Sequence, residues 1–296
     1  MAVKSTERRP GARRTEVESL ISLLEDPDAY VHQQVVQRLL ELGEGAIPLL
    51  DEFTSVNNDQ ELNEQVQDII RTISYGSIEH EFITYLEGEL KSYKDLETGV
   101  LILSRFDKPT IRIEHYMRKL DKLANEVRPL IRNVSQGQAC KILMHYVFET
   151  KDFRGTSDDY FNPANSYIHS VLERHEGIPI SLAMLVLFLA QRLDLPVEGV
   201  NMPMHFLLRY SGGSGYTYVD PFNSGVEVSV DQCSYFLKKS GIQPSDSHFN
   251  AASSAEMLAR TLRNLINSHE KKHDTESAKE LKKLLEMVEV SQLDLK

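Results

Sequence analysis

Apolar side chains recur every three or four positions over residues 15–150, the spacing that gathers them on one face of a helix. The first predicted helix begins at Thr15, a suitable N-cap, and ends before Asp26-Pro27-Asp28. Residues 1–14 are basic and carry no apolar stripe. We expect them to form a flexible, solvated tail, with a docking arm as the alternative.

The next two predicted helices form a pair that is separated by Gly43-Glu44-Gly45. Their segment, 23–50 with the sequence LLEDPDAYVHQQVVQRLLELGEGAIPLL, resembles a HEAT repeat, and residues 59–86 carry a weaker form of the same stripe. Such a pair buries its apolar face only against a neighbour. We therefore predict a HEAT-like region over 15–85 that packs on the next domain, either as a docking surface for proteins or as a helical cap.

The pattern changes after residue 150. Gly, Asp, Asn and Pro are frequent in 153–166, which predicts a loop, and a short helix is predicted over 165–173. Positions 180–193 are almost wholly apolar, so the helix predicted there is expected to be buried on all sides. Alternating β-formers and a Gly-rich turn then predict a small antiparallel sheet. Its strands are predicted at 197–200, 205–210, 216–219 and 226–230.

Helical spacing returns from residue 255 and predicts a helical hairpin over 251–296, which resembles a tetratricopeptide pair. The prediction for the whole chain is therefore an α+β fold that is mainly helical. The helices at both ends flank a central domain over 86–250, in which helices pack against the small antiparallel sheet.

Charge and composition exclude several classes of function. The net charge is −11, which argues against binding nucleic acid over a broad surface, because basic side chains supply that affinity. No run of eighteen apolar residues occurs, and no apolar segment follows the basic N-terminus, so we expect neither a membrane span nor a secretory signal. Cys140 and Cys233 are too few for a disulfide framework, so a cytoplasmic location is expected.

Motifs for cofactors are absent from the sequence. It contains neither Gly-x-Gly-x-x-Gly nor a Walker loop, so no nucleotide cofactor is expected. His169, Glu173 and His175 are close in sequence, but only the first two share a helical face, and two ligands do not make a metal site.

A buried helix followed by strands that carry a His and then an Asp is the layout of papain-like cysteine enzymes. In these enzymes the Cys at the helix N-terminus is the nucleophile, the His is the base and the Asp orients it. The matching positions are Gly177 at the helix start, Leu193-Asp194-Leu195-Pro196 at its end, His205, and Asp220-Pro221. On these motifs the chain resembles the transglutaminase-like superfamily.

A narrower resemblance is carried by NSYIHSVLERHEGIPISLAMLVLFLAQRLDLPVEGVNMPMHFLLRY, residues 165–210, and by the later VDPFNSG. Both segments resemble the SirB-type branch of that superfamily. The resemblance places the family's nucleophile position at Pro179, two residues after Gly177, and this branch characteristically carries the replacement. Proline has no nucleophilic group, although it suits the first turn of a helix.

Ser181 is the nearest hydroxyl, but it lies about 200° around the helix from the nucleophile position. Helix capping or a core hydroxyl is its alternative role. Cys140 and Cys233 lie outside the motif. The candidate catalytic residues implied by the resemblance are therefore His205, Asp220 and Ser181. The candidate cleft-lining residues are Asn165, Pro179 and Asn223.

The leading functional prediction is a cytoplasmic pseudoenzyme that binds a protein or peptide not identified by the sequence. In it His205 and Asp220 are a retained structural pair, and Asn165 and Asn223 either line the cleft or bond to their own turns. The alternative is a hydrolase or acyl-transferase, of the peptidase or deamidase type, in which His205 and Asp220 act with an unidentified nucleophile or water.

The register of the predicted hairpin tests whether this pair exists. His205 and Asp220 share a face of the sheet only if the numbers of paired residues add to an odd sum. We predict the sum 425, with these two residues opposite each other and a four-residue loop at 211–214, or a bulge that restores the odd register. The competing sum, 426, sets Asp220 against Phe206 and its apolar packing.

Overall fold

The computed structural model describes residues 10–88, 90–212 and 215–293. These residues fall into two compact units. The first contains the described residues up to Glu81 together with Lys108–Ile111, and the second contains Phe82–Asp107 and the described residues from Arg112 onward.

The first unit consists of helices. They are α1 (Pro10–Ser22), α2 (Ala29–Leu42), α3 (Ile47–Val56) and most of α4 (Gln60–Leu86). The predicted break at Asp26-Pro27-Asp28 is present, and the Asp28 carboxylate caps α2 by accepting a hydrogen bond from the N–H of Tyr30. The apolar stripes of the four helices meet in one buried cluster that includes Leu39, Leu50 and Val66.

Two details of this region differ from the prediction. Helix α1 is already formed at Pro10, the first described residue, and does not start at Thr15, so residues 10–14 are helical. The rest of the expected tail, 1–9, lies outside the described residues. Residues 60–86 form the single helix α4 and not a second helix pair. That this region is HEAT-like, and that it packs on the next domain, stay predictions.

The second unit is built around one central helix. Its helices besides the end of α4 are α5 (Tyr93–Leu103), α6 (Ile113–Val127), α7 (Gln136–His145), α8 (Ile168–Arg174), α9 (Pro179–Arg192), α10 (Val230–Lys239), α11 (Ser254–Lys271) and α12 (Thr275–Leu293). Every side chain of α9 from Leu182 to Ala190 is fully buried, as the uninterrupted apolar sequence predicted. A π-helical turn, Tyr146–Thr150, continues α7.

Two sheets accompany these helices. Strands β1 (Arg154–Gly155) and β2 (Glu176–Gly177) form a short parallel pair. Strand β1 lies in the segment predicted as a loop, and β2 lies between the predicted short helix and the central helix. A four-stranded antiparallel meander follows, in the order β3 (Val197–Val200), β4 (Leu207–Gly212), β5 (Gly215–Asp220) and β6 (Val226–Val228). The α+β class with a small antiparallel sheet is thereby confirmed.

The hairpin register has the predicted parity but not the predicted value. Leu208 pairs with Val219 and Gly212 pairs with Gly215, so the sum is 427. The predicted sum of 425 and its four-residue loop are wrong, because the pairing continues to Gly212 and Gly215, and two residues are the commonest length for a hairpin connection. That connection, 213–214, lies outside the described residues. His205 also precedes β4 rather than lying on it, since the chain turns at Met204, where φ is +67°.

No helix among the described residues is long and apolar enough to cross a membrane.

Candidate functional site

His205 and Asp220 meet at the end of the hairpin, although they are fifteen positions apart. Nε2 of His205 lies 2.9 Å from Oδ1 of Asp220, and the two side chains are 17% and 9% exposed. The ring N–H does not point along the line to the carboxylate, so the contact is a close polar approach rather than a linear hydrogen bond. The other ring nitrogen of His205, Nδ1, is not the one that contacts Asp220.

Asp220 is held by the turn that follows it. Its Oδ1 accepts hydrogen bonds from the N–H groups of Phe222 and Asn223 at 2.9 and 3.2 Å, and its Oδ2 accepts one from Nδ2 of Asn223 at 2.7 Å. Pro221 presets the turn, and Asp side chains commonly bond to the backbone two residues on. The Asp-Pro sequence thus fixes the carboxylate locally before any distant residue contributes.

These bonds decide the charge of Asp220. Burial by itself raises the pKa of a carboxyl group, but the contacts with His205 and Asn223 outweigh it and leave the pKa of Asp220 below its usual value. The carboxylate is therefore ionised at neutral pH, inside a largely apolar part of the fold.

His205 is positioned by a different element. The half-buried guanidinium of Arg260 on α11 donates hydrogen bonds to Oδ1 of Asn201 and, at 2.9 Å, to the carbonyl of Met202, both in the turn that precedes His205. It also lies over the ring of Phe206, 5.6 Å from the centroid. Burial lowers the pKa of Arg260, which is consistent with a cation that acts inside the fold.

A cavity of about 190 Å³ opens beside the pair, and we call it the His205 cavity. The residues that line it are Met202, His205, Leu207, Asp220, Asn223, Val228, Gln232, Cys233 and Phe236. Of the three residues predicted to line a cleft, only Asn223 is among them.

Three lining residues come from α10, which the sequence analysis missed. Gln232, Cys233 and Phe236 follow the capping box of Ser229, whose hydroxyl accepts from the N–H of Gln232 while the Gln232 side chain accepts from the N–H of Ser229. A Ser-x-x-Gln sequence is a recognised helix start. Together with the four-residue spacing of Cys233 and Leu237, it would have predicted this helix.

A sequence model of the transglutaminase-like superfamily matches residues 114–263, which are 150 of the 296 residues. This chain belongs to the transglutaminase-like superfamily. The match includes His205, Asp220 and the whole of α9 and the sheet.

The curated relatives that resemble this chain come from bacteria and animals. F-box only protein 21 of Homo sapiens is 30% identical over 185 residues, which are 60% of this chain and 29% of that protein. A UPF0162 protein of Xylella fastidiosa is 30% identical over 177 residues, 57% of this chain and 63% of the relative. One of Vibrio cholerae is 29% identical over 134 residues, 45% and 50% of the two chains. The chain thus spans less than two thirds of these relatives, and no solved structure matches it significantly.

Pro179, where the sequence resemblance places the family's nucleophile, is the first residue of α9. Pro179 is buried and does not line the His205 cavity. Ser181 is also fully buried, and its hydroxyl accepts from the N–H of Ile178 at 3.1 Å and donates to the carbonyl of Asn165 at 2.7 Å. Ser181 is not placed with His205 and Asp220. Its hydroxyl caps the first turn of α9, as the alternative role of helix capping predicts.

Asn165 has a structural position as well. Its side chain is fully buried, donates to the carbonyls of Asp159 and Tyr160, and accepts from Arg174. It therefore fixes the loop before α8 and does not line the cavity. Gly177 leaves room for the Ser181 hydroxyl, which donates to the carbonyl of Asn165. A Cβ at position 177 would lie 2.6 Å from Oγ of Ser181.

The two cysteines are buried thiols. Burial raises the pKa of Cys140 to about 11. Burial, and then the charge of Asp220, raise the pKa of Cys233, which is in the His205 cavity. Neither thiol is activated by its surroundings. Among the described residues, no three His, Cys, Asp or Glu side chains are grouped so that they could hold a metal ion.

Proposed function

We propose that this chain is a non-catalytic, cytoplasmic protein that binds a polypeptide through the His205 cavity. The transglutaminase-like domain supplies the cavity and its polar wall, and the helices at the two ends of the chain serve as further docking surfaces, as in helical repeat proteins. The SirB-type branch remains our expectation for the closest subfamily.

One observation carries this proposal. The base-like pair His205–Asp220 is assembled at a cavity, whereas the groups that would have to attack a substrate are not activated there. Pro179 has no nucleophilic group, and the hydroxyl of Ser181 is buried and hydrogen-bonded to the backbone of Ile178 and Asn165. The raised pKa of Cys233 keeps that thiol protonated at neutral pH.

The size and lining of the cavity support a side chain as its occupant. Pockets for drug-sized ligands hold about 300–1,000 Å³, and the His205 cavity holds about 190 Å³. Its walls combine apolar groups, such as Leu207 and Phe236, with the amides of Asn223 and Gln232. This mixture suits an apolar side chain whose own backbone is hydrogen-bonded at the rim.

A library of random linear peptides displayed on phage tests the proposal directly. The full chain should enrich peptides that the variant Phe236→Ala does not retain, because this substitution removes one wall of the cavity. Tyr235→Ala is the matched control, since Tyr235 is an exposed neighbour on α10 that does not line the cavity. Equal enrichment by the wild type and Phe236→Ala would contradict the proposal.

A second candidate function is favoured by the presence of Cys233 and His205 in one cavity. It is the hydrolase or acyl-transferase alternative, with Cys233 or water completing the site. Labelling with iodoacetamide and a fluorophosphonate separates the two functions. We expect no labelling that depends on His205. Rapid alkylation of Cys233 that is lost in His205→Ala, together with turnover of a glutamine-containing peptide, would favour the enzyme.

A further inference from the structure

Strand β6 lies at the edge of the four-stranded sheet, and among the described residues it pairs only with β5. An edge strand directs the N–H and C=O groups of alternate residues away from its sheet. Val226 and Glu227 are exposed along this edge. The N–H groups of Gly225, Val226 and Ser229 are already bonded to Asp220, Asn223 and Gln232, so another extended chain would be hydrogen-bonded to β6 at Glu227.

Cavities flank this edge on both faces of the sheet. On one face is the His205 cavity, lined by Asp220 and Val228. On the other face a second cavity of about 220 Å³, which we call the Tyr210 cavity, is lined by Tyr210, Val219 and Glu227. The pairing of Val219 with Glu227, and of Asp220 with Val226, puts these two groups of side chains on opposite faces.

The two cavities differ in chemistry. The His205 cavity is mostly apolar around its polar pair. The Tyr210 cavity has the charged side chains of Lys141, Glu149 and Glu227 and the imidazole of His145 at its walls. Lys141 is paired with Glu227 at 3.0 Å, so the carboxylate of Glu149 leaves the cavity with an excess of negative charge. A basic side chain is its electrostatic complement.

We propose that an extended segment of a partner polypeptide adds to β6 as a fifth strand, with an apolar residue in the His205 cavity and an adjacent basic residue in the Tyr210 cavity. Neighbouring residues of a strand point to opposite faces, so one segment fills both cavities at once. Main-chain hydrogen bonds then supply affinity and the two cavities supply specificity, as in other cases of strand addition. This inference rests on the proposed polypeptide-binding function and specifies the ligand.

A second copy of this chain is a poorer occupant of the same edge. If two β6 strands paired symmetrically, Glu227 of each would be directed to the face that already carries Glu149 and Glu227. Like charges opposite each other on one face of a sheet are destabilising. The charge at the Tyr210 cavity therefore favours a basic partner over self-association.

The experiment uses the ¹⁵N-labelled full chain and the peptide acetyl-Gly-Thr-Lys-Leu-Lys-Thr-Gly-amide. We expect saturable shifts at millimolar peptide in the amide signals of β6 and of Phe236 on α10. The charge-reversed peptide, with Glu in place of both Lys, should not saturate. Glu149→Lys should weaken binding about threefold to tenfold. Glu286→Lys, which makes the same charge change on exposed α12, is the control and should not alter binding.

N-methylation of the peptide, one residue at a time, tests the strand addition itself. A methyl group should abolish binding at one position, because the carbonyl of Glu227 accepts from one peptide N–H, and the neighbouring positions should tolerate it. Binding that depends on Phe236 but tolerates every N-methyl group would overturn the strand addition and leave the polypeptide-binding function intact. Failure of the Lys-containing peptide to bind, while displayed peptides still bind, would overturn the assigned ligand chemistry. A dimer of the free chain that the peptide dissociates would show that a second copy occupies the edge, and would also overturn it.

Discussion

Asp220 stays ionised in a buried site because the adjacent turn donates hydrogen bonds to both of its oxygens and Nε2 of His205 lies 2.9 Å from Oδ1. Its pKa is lower in the folded than in the unfolded chain. Its contribution to stability is therefore complete above the unfolded pKa, about 4, and is lost as the pH falls through the lower folded-state pKa. We predict that Asp220→Asn reduces the free energy of unfolding by about 1–3 kcal/mol at neutral pH and by less in acid.

Urea unfolding at neutral pH and at about pH 3 measures this difference. Asp158→Asn is the control, since Asp158 is an exposed carboxylate in the same unit. If Asp220→Asn destabilised the chain equally at both pH values, the ionised carboxylate would not be the source of the stability.

Ser181 gives a second prediction about a single residue. Ser181→Ala leaves the N–H of Ile178 and the carbonyl of Asn165 without the partner they have in the buried start of α9. We expect a loss of about 1–3 kcal/mol in the free energy of unfolding, and no change in fluorophosphonate labelling. Ser240→Ala, at the exposed end of α10, is the control. A loss of labelling with unchanged stability would instead identify Ser181 as a nucleophile.

The short strand β1 supports the site from outside the main sheet. A Cβ at Gly155 would overlap the carbonyl oxygen and the ring of Phe222, which belongs to the turn that holds Asp220. We predict that Gly155→Ala lowers the free energy of unfolding by about 1–3 kcal/mol and shifts the NMR signals of His205. Thermal unfolding and a ¹H–¹³C spectrum of the His rings measure both effects.

Gly76→Ala is the matched control for this substitution. Gly76 lies inside α4, and nothing is within 4 Å of the Cβ that would be added there. Because Ala is favoured over Gly in a helix by about 1 kcal/mol, Gly76→Ala should be neutral or stabilising. A Gly155→Ala variant as stable as wild type would show that the turn after Asp220 moves freely.

The elements that the sequence predicted well are those whose periodicity is long. The apolar run of α9 and the stripe of α2 each extend over 14 residues, so their assignment needed no tertiary information. Strands β1 and β2 are two residues each, too short to leave any alternation, and only their mutual pairing defines them.

The candidate site was predictable in the same uneven way. His205 and Asp220 could be identified because the flanking motifs are local, and the odd register followed from their need to share a face. The sum of 427 depends on the length of the connection between β4 and β5, and the Gly-rich composition of that segment did not determine this length. Cys233 and Phe236 reach the cavity through tertiary packing of α10, so even a correct helix assignment would not have placed them beside His205.

At the scale of the whole chain, the second unit includes residues that precede the predicted domain boundary. Phe82 is fully buried and belongs to that unit, yet it lies in the last turns of α4. We predict that a chain starting at residue 86 melts about 10 °C lower than one starting at residue 60, because loss of a buried Phe costs about 3–5 kcal/mol. Calorimetry of both truncated chains measures this. Equal melting temperatures would show that Phe82 contributes little.

The complete burial of Leu182–Ala190 in α9 has a consequence for hydrogen exchange. Amides from Leu182 to Ala190 have no exposed side-chain neighbours within their own helix, so they exchange with solvent only when the unit unfolds as a whole. Their exchange rates therefore measure global stability. A ligand present at a hundred times its Kd adds about 2.7 kcal/mol and would slow these amides about 100-fold. Amides in a helical segment that touches no solvent thus report whether the His205 cavity is occupied, whatever the ligand is.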